Sequence, residues 1–207
     1  MIHRTIVIAF ASVIFLNTNT AAAQKIDVNF DLPADSLILI ETPETEVSPL
    51  HLERLIRKYV NKVRRQHKLP ELKHNESLDP IARDHSKDMG DQDFFDHTNL
   101  DGETPTMRGH RAGFVCRLQY DNVIATGLAE NLFYTYKYRS VSRAYFPDHV
   151  RLTFDWKDEE SIAREVVEGW YNSPPHRKNL LHERSRSHGI GVVITSERKI
   201  FATQNIC

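Results

Sequence analysis

Little in this chain stands out by excess, and several absences are informative. Lys and Arg number 27 against 28 Asp and Glu, a formal net charge of −1. The basic surface that nonspecific nucleic-acid binding requires is missing, so no nucleic-acid partner is expected. There is no internal repeat and no low-complexity tract. After the first residues there is no second long apolar run, so no transmembrane segment is expected in the mature chain. Neither the HExxH helix motif of zinc peptidases nor the GxSxG turn of serine hydrolases occurs, which removes two legible hydrolase signatures. Cysteine is scarce, with only Cys116 and Cys207. Nothing in the sequence speaks to oligomeric state.

What is present begins with a leader. Arg4 gives a short positive segment, Ile6 to Leu16 is apolar, and Ala21 and Ala23 supply small residues before Gln24. This pattern predicts a secretory signal peptide over residues 1–23 and a mature start near Gln24. An uncleaved membrane anchor is the alternative, and the run is short for it. No Cys follows the run, as a lipoprotein anchor would need. A secreted, extracellular chain with an even pair of cysteines predicts one disulfide, Cys116 to Cys207, the alternative being two free thiols.

Residues 24–47 carry six acidic side chains against Lys25 and read as an acidic, extended lead-in with a short strand at Leu37–Ile40. From 48 to 207 the pattern is that of one domain. Ser48-Pro49 is an N-cap followed by proline at the first helical position. Leu52, Leu55, Ile56, Tyr59, Val60 and Val63 then repeat at helical spacing to about Gln66. A second helix follows Asp79-Pro80 and ends at Gly90, with Ile81, Ala82, His85 and Met89 on its apolar stripe. A third runs from Thr104-Pro105 to Gly113, and a fourth from Glu159 to Tyr171. Ile190, Val192 and Ile194, then Ile200 and Ala202, alternate with a period of two, which predicts a C-terminal β-hairpin ending near Ile206. Helices precede strands rather than alternating with them, so the fold class is α+β and not a parallel βαβ sheet.

Three stretches combine ionisable side chains with unusual backbone. They are FFDHTN, with His97; LAENL, with Glu130; and WYNSPPHRKNLL, with His176. Read singly, His97 is a loop histidine, Glu130 an exposed strand residue and His176 a surface residue at a helix start. With Ser173 as N-cap and Pro174 as first helical residue, His176 falls in the first turn. There the helix dipole disfavours imidazolium and leaves a neutral ring able to ligate a metal. His85 reads as a satisfied core or groove-floor histidine, and His110, His149, His182 and His188 as surface or loop residues. The segment Tyr134 to Trp156, rich in Tyr, Phe and Arg, is either an ordinary extra hairpin or a flap that adds aromatic contacts to a groove.

FFDHTN, AENL, VVEGWYNSPPHRKNLL and HGIGVVI, in that order, resemble the microbial branch of the CAP superfamily, the secreted SCP domains related to cysteine-rich secretory proteins, antigen 5 and plant pathogenesis-related proteins. IARDHSKDM upstream also fits, and the resemblance spans about Leu50 to Ile206. It implies a three-layer α-β-α sandwich with a small, mainly antiparallel sheet and an open groove where histidines and acids hold a divalent cation, often zinc. On that resemblance His97, Glu130 and His176 are the metal residues, with Asn131, Ser173 and His85 as groove candidates. Ala129 replaces the usual glycine of the family's G-E-N motif. Ser173 stands where animal and plant members carry a second glutamate, so a three-residue site completed by water is expected. The function expected is a metal-binding groove for a lipidic or cell-envelope ligand. The alternatives are a secreted metal-dependent hydrolase with Glu130 as general base, and a non-catalytic structural extracellular domain.

Overall fold

The computed structural model describes residues 37–207. The expected signal peptide, its cut before Gln24 and the lead-in as far as residue 36 lie outside the described residues. In chain order the elements are β1 (Leu37–Ile40), α1 (Pro49–Gln66), β2 (Lys73–His74), α2 (Leu78–Asp91), α3 (Pro105–Arg111), β3 (Arg117–Tyr120), β4 (Val123–Thr126), β5 (Ala129–Tyr136), β6 (Tyr138–Tyr145), β7 (His149–Trp156), α4 (Glu159–Asn172), α5 (Pro174–Leu180), β8 (Ser187–Ile194) and β9 (Lys199–Ile206). They fall into two compact units. One holds residues 47–136 and 158–207. The other holds 137–157 together with the described residues up to 46.

The larger unit is a three-layer α+β sandwich. Its sheet has the order β2-β8-β9-β5. β8, β9 and β5 pair antiparallel, and short β2 joins β8 in parallel. Because side chains alternate across a strand, each face of the sheet has its own partner. Ile190, Val192, Ile200, Ala202 and Ile206 pack with Leu52, Ile56 and Val60 of α1 and with Ile162, Val166 and Trp170 of α4. The other face meets α2. A Cβ at Gly191 would lie 2.0 Å from Arg83 N, and one at Gly189 2.4 Å from Leu78 Cβ, so glycine lets the helix backbone rest on the strand. Ser86 Oγ donates to Gly191 O at 3.0 Å and fixes the contact.

Local sequence accounts for the helix starts. Ser48 Oγ accepts from His51 N, and Thr104 Oγ1 from Met107 N, each with proline in the first turn. β8 would expose amide groups along its outer edge. Buried carboxylates accept from them instead, Asp79 from Ile190 N and Glu53 from Val192 N. Cys116 and Cys207 are bridged, with Cα atoms 5.5 Å apart. Arg64, fully buried in α1, donates to Leu180 O and His182 O and so holds the end of α5.

The smaller unit contains the sheet β1-β7-β6. β1 runs parallel to β7, and β6 and β7 form an antiparallel hairpin. The expected strand at Leu37–Ile40 is therefore a sheet edge. The aromatic segment supplies the hairpin, whose rings pack on one another: Phe154 stacks on Trp156 at 4.5 Å and meets Tyr138 edge-on at 5.1 Å.

Two readings of single residues are corrected. His188 is not a surface or loop residue but a fully buried strand residue, bonded to Gln204. Glu130 is not an exposed strand residue: it is buried, 5 % exposed, on β5.

Candidate functional site

β5 places Glu130 on the α2 side of the sheet, in line with Leu132, which packs on Met89 and Phe201. Three cationic or imidazole groups converge on its carboxylate. Arg108 of α3 donates from Nη2 to Oε2 at 2.7 Å, with both side chains almost fully buried. His97 Nδ1 lies 2.9 Å from Oε1. His85 Nε2 lies 3.8 Å from the same oxygen and donates to Asp96 O at 2.9 Å. Arg108 Nη1 also donates to His97 O and Glu103 O, so one guanidinium fixes both the carboxylate and the loop that carries His97.

A carboxylate beside Nδ1 sets the imidazole tautomer. Against a carboxylate His97 Nδ1 is the donor, and in the neutral ring the lone pair then lies on Nε2, the arrangement that outer partners impose on metal-binding histidines. His176, in the first turn of α5, faces it. The two rings stand edge to face with centroids 6.1 Å apart. Burial, and next the neighbouring His97, hold the His176 pKa below its ordinary value. The direction, toward the neutral ring, is the one the sequence predicts, and desolvation and the second imidazole contribute to it. Ser173 occupies the N-cap position without a side-chain capping bond.

The structure thus brings together His97, Glu130, His176 and His85. His85 is fully buried. Its Nδ1 has no hydrogen-bond partner, and burial lowers its pKa foremost. Asn131 is not with them. It points to the opposite face of the sheet, where it donates to Gln204 and accepts from Asn179 of α5, and Asn179 also donates to Glu130 O. Asn131 therefore positions the helix that carries His176. Sequence reasoning missed Arg108, which has no motif around it; only the fold aims it at Glu130.

Glu130 is buried and turned to Arg108 and His97; the open ring nitrogens beside it are Nε2 of His97, those of His176 and the fully buried Nδ1 of His85. Among the described residues no group of three or more His, Cys, Asp or Glu is arranged to hold a metal ion. Two imidazoles sharing a tetrahedral zinc at about 2.0–2.1 Å would have ring centres roughly 5 Å apart. The observed separation of the ring centroids is 6.1 Å, and imidazole nitrogens are donors of the type zinc takes, though two are fewer than the three or four protein ligands usual for it.

The model of the cysteine-rich secretory protein family, CAP, matches residues 57–206. No curated protein matches the chain. Among solved structures, an extracellular protein containing an SCP domain from Bacillus anthracis is 25% identical with a TM-score of 0.54. The match covers 79% of this chain and 44% of that one, so this chain spans under half the length of the Bacillus protein. An outer surface protein of Borrelia burgdorferi is 17% identical with a TM-score of 0.52, over 79% of this chain and 97% of that one. No helix among the described residues is long and apolar enough to cross a membrane.

Proposed function

The chain belongs to the cysteine-rich secretory protein (CAP) family, and on that premise we propose that it is a secreted binding protein whose His97–His176 pair holds a divalent cation, zinc by its chemistry. The observation that carries this reading is the contact of Glu130 with His97 Nδ1, opposite a neutral His176. Glu130 then acts as the outer partner that orients His97, not as a ligand. The same contacts argue against Glu130 as a general base. A base must reach substrate or water, and the Glu130 side chain is 1 % exposed, with its oxygens turned to Arg108 and His97. Bound zinc would supply Lewis-acid polarisation of a ligand oxygen; the chain supplies two imidazoles, their orientation and the buried carboxylate behind them.

The ligand we propose is lipidic or a cell-envelope component. The loop carrying His97 and the helix carrying Arg108 expose Phe95, Leu100 and Met107, at 43, 63 and 50 %. Large apolar side chains so exposed favour an amphiphile over a small polar solute. Zinc titration by calorimetry is the test. His97→Ala and His176→Ala should each abolish binding, whereas Glu130→Gln should weaken it about 10–100-fold. Unchanged affinity in the His97→Ala, His176→Ala double variant would end the metal reading. Loss of binding in Glu130→Gln as complete as in the histidine variants would make Glu130 a ligand. Mass spectrometry of lipids that co-purify with the exported protein identifies the ligand class.

A further inference from the structure

Helix α5 has a second face. Pro174, Arg177, Lys178 and Leu181 follow one another at helical spacing and line an open cleft of about 470 Å³, with Tyr120 and the turn His182 to Arg184 as its other wall. His176 and Asn179 turn the other way, toward His97 and Glu130. The chain as a whole is balanced, yet Arg177, Lys178 and Arg184 line this cleft against one carboxylate, Glu183. Among the described residues no ion pair engages any of the three. Elsewhere on the surface Lys87 is paired with Asp91 and Arg111 with Glu103.

The two guanidinium groups are held by rings rather than by acids. Arg184 stacks over Tyr120 at 4.9 Å and spends one donor on Gln119 O. Arg177 lies 5.7 Å from the Tyr171 ring and spends one on Tyr171 O. Each keeps most of its fork of donors. His182 adds no charge of its own. Its ring nitrogens face Tyr120 Oη and Ser185 Oγ, and burial, then the neighbouring cations Arg64, Lys178 and Arg184, lower its pKa.

We propose that this cleft binds a phosphate-type anion, a tetrahedral group whose several oxygens match two forked guanidiniums and an ammonium. The group is either the headgroup of a lipid or a free phosphate. Tyr120 and Gln119 pair across the β3–β4 hairpin with Val123 and Ile124, which are 63 and 58 % exposed, so an apolar rim suited to a lipid-borne phosphate stands beside the cations. The site needs neither His97 nor His176 and is independent of bound metal.

The test is inorganic phosphate titrated into the isotope-labelled exported protein in the presence of EDTA, at constant ionic strength with chloride as control, read by NMR. Saturable shifts centred on Tyr120, Lys178 and Arg184, absent with chloride, are expected. The Lys178→Gln, Arg184→Gln double variant should weaken them at least about tenfold while its circular dichroism stays unchanged. Phosphatidylcholine vesicles with and without phosphatidic acid, read by sedimentation, separate the sources. Binding only to the phosphatidic acid vesicles, lost in the double variant, assigns a lipid headgroup. Phosphate shifts without vesicle binding assign a free phosphate. Absence of both, or shifts and sedimentation that persist in the double variant, overturns the proposal. Because EDTA is present throughout, this outcome is separate from the fate of the zinc reading.

Discussion

Arg108→Leu is the perturbation that most directly probes the buried charge at the site. The Arg108 and Glu130 side chains are 2 and 1 % exposed, and Nη2 stands 2.7 Å from Oε2. Removing the guanidinium leaves the Glu130 carboxylate in an apolar layer with His97 as its remaining close donor. Breaking a buried pair from one side costs about 3–5 kcal/mol, because the surviving charge is desolvated without compensation. His97 O and Glu103 O lose their donor as well. For a chain of this size each kcal/mol lowers Tm by about 2–4 °C, so a fall of roughly 6–20 °C is expected. Urea unfolding at neutral pH, followed by tryptophan fluorescence, gives the free energy. The Arg108→Leu, Glu130→Gln double variant has no unpaired charge left and should lose less than the sum of the two single changes. A loss under about 1 kcal/mol in Arg108→Leu, or strict additivity in the cycle, would refute the account of Arg108 as the group that makes burial of Glu130 tolerable.

Three further outcomes follow from the fold. Burial, then Arg57, His74 and Arg64, depress the His188 pKa from 6.5 to about 3. The unfolded chain binds that proton first, so the stability His188 contributes is complete above about pH 6.5 and lost as pH falls toward 3. Between pH 7.5 and 4.5 the wild type should lose ~2–3 kcal/mol more than His188→Gln, read from urea midpoints; equal pH profiles would refute this. Gly191→Ala puts a Cβ 2.0 Å from the α2 backbone and should lower Tm steeply or prevent folding, since neither backbone can yield locally; a thermal melt within a degree or two of wild type would contradict it. The Cys116–Cys207 bridge closes a sequence separation of 91 residues. The Cys116→Ser, Cys207→Ser variant should lose about 2–5 kcal/mol by urea unfolding, and no measurable loss would show that the bridge does not constrain the unfolded chain.

The sequence by itself determined much of the frame. α1 starts at Ser48-Pro49 and α3 at Thr104-Pro105 because caps and proline act within one turn, and local chemistry is legible locally. β8 and β9 were readable from their alternation, and the disulfide from two cysteines in a chain expected to be exported. The β3–β4 hairpin has no legible signal, and the β6–β7 hairpin is legible only as one of two alternatives for Tyr134 to Trp156. Val123–Thr126 is exposed throughout, so no buried face imposes an alternating pattern on it. β5 escaped because one face packs on α2 and the other on α4, which leaves a mostly apolar run without a period. The order of the motifs pointed to His97, Glu130 and His176, but what each does was decided only by the tertiary structure. Strand pairing sets Glu130 against α2 and α3, where Arg108, His85 and His97 meet it, and turns Asn131, one residue later, to the opposite face. His188 reads as one more polar residue until β8 is placed between two helical layers. Charge and burial at these positions are set by groups that lie far away in the chain, and no local pattern encodes such contacts.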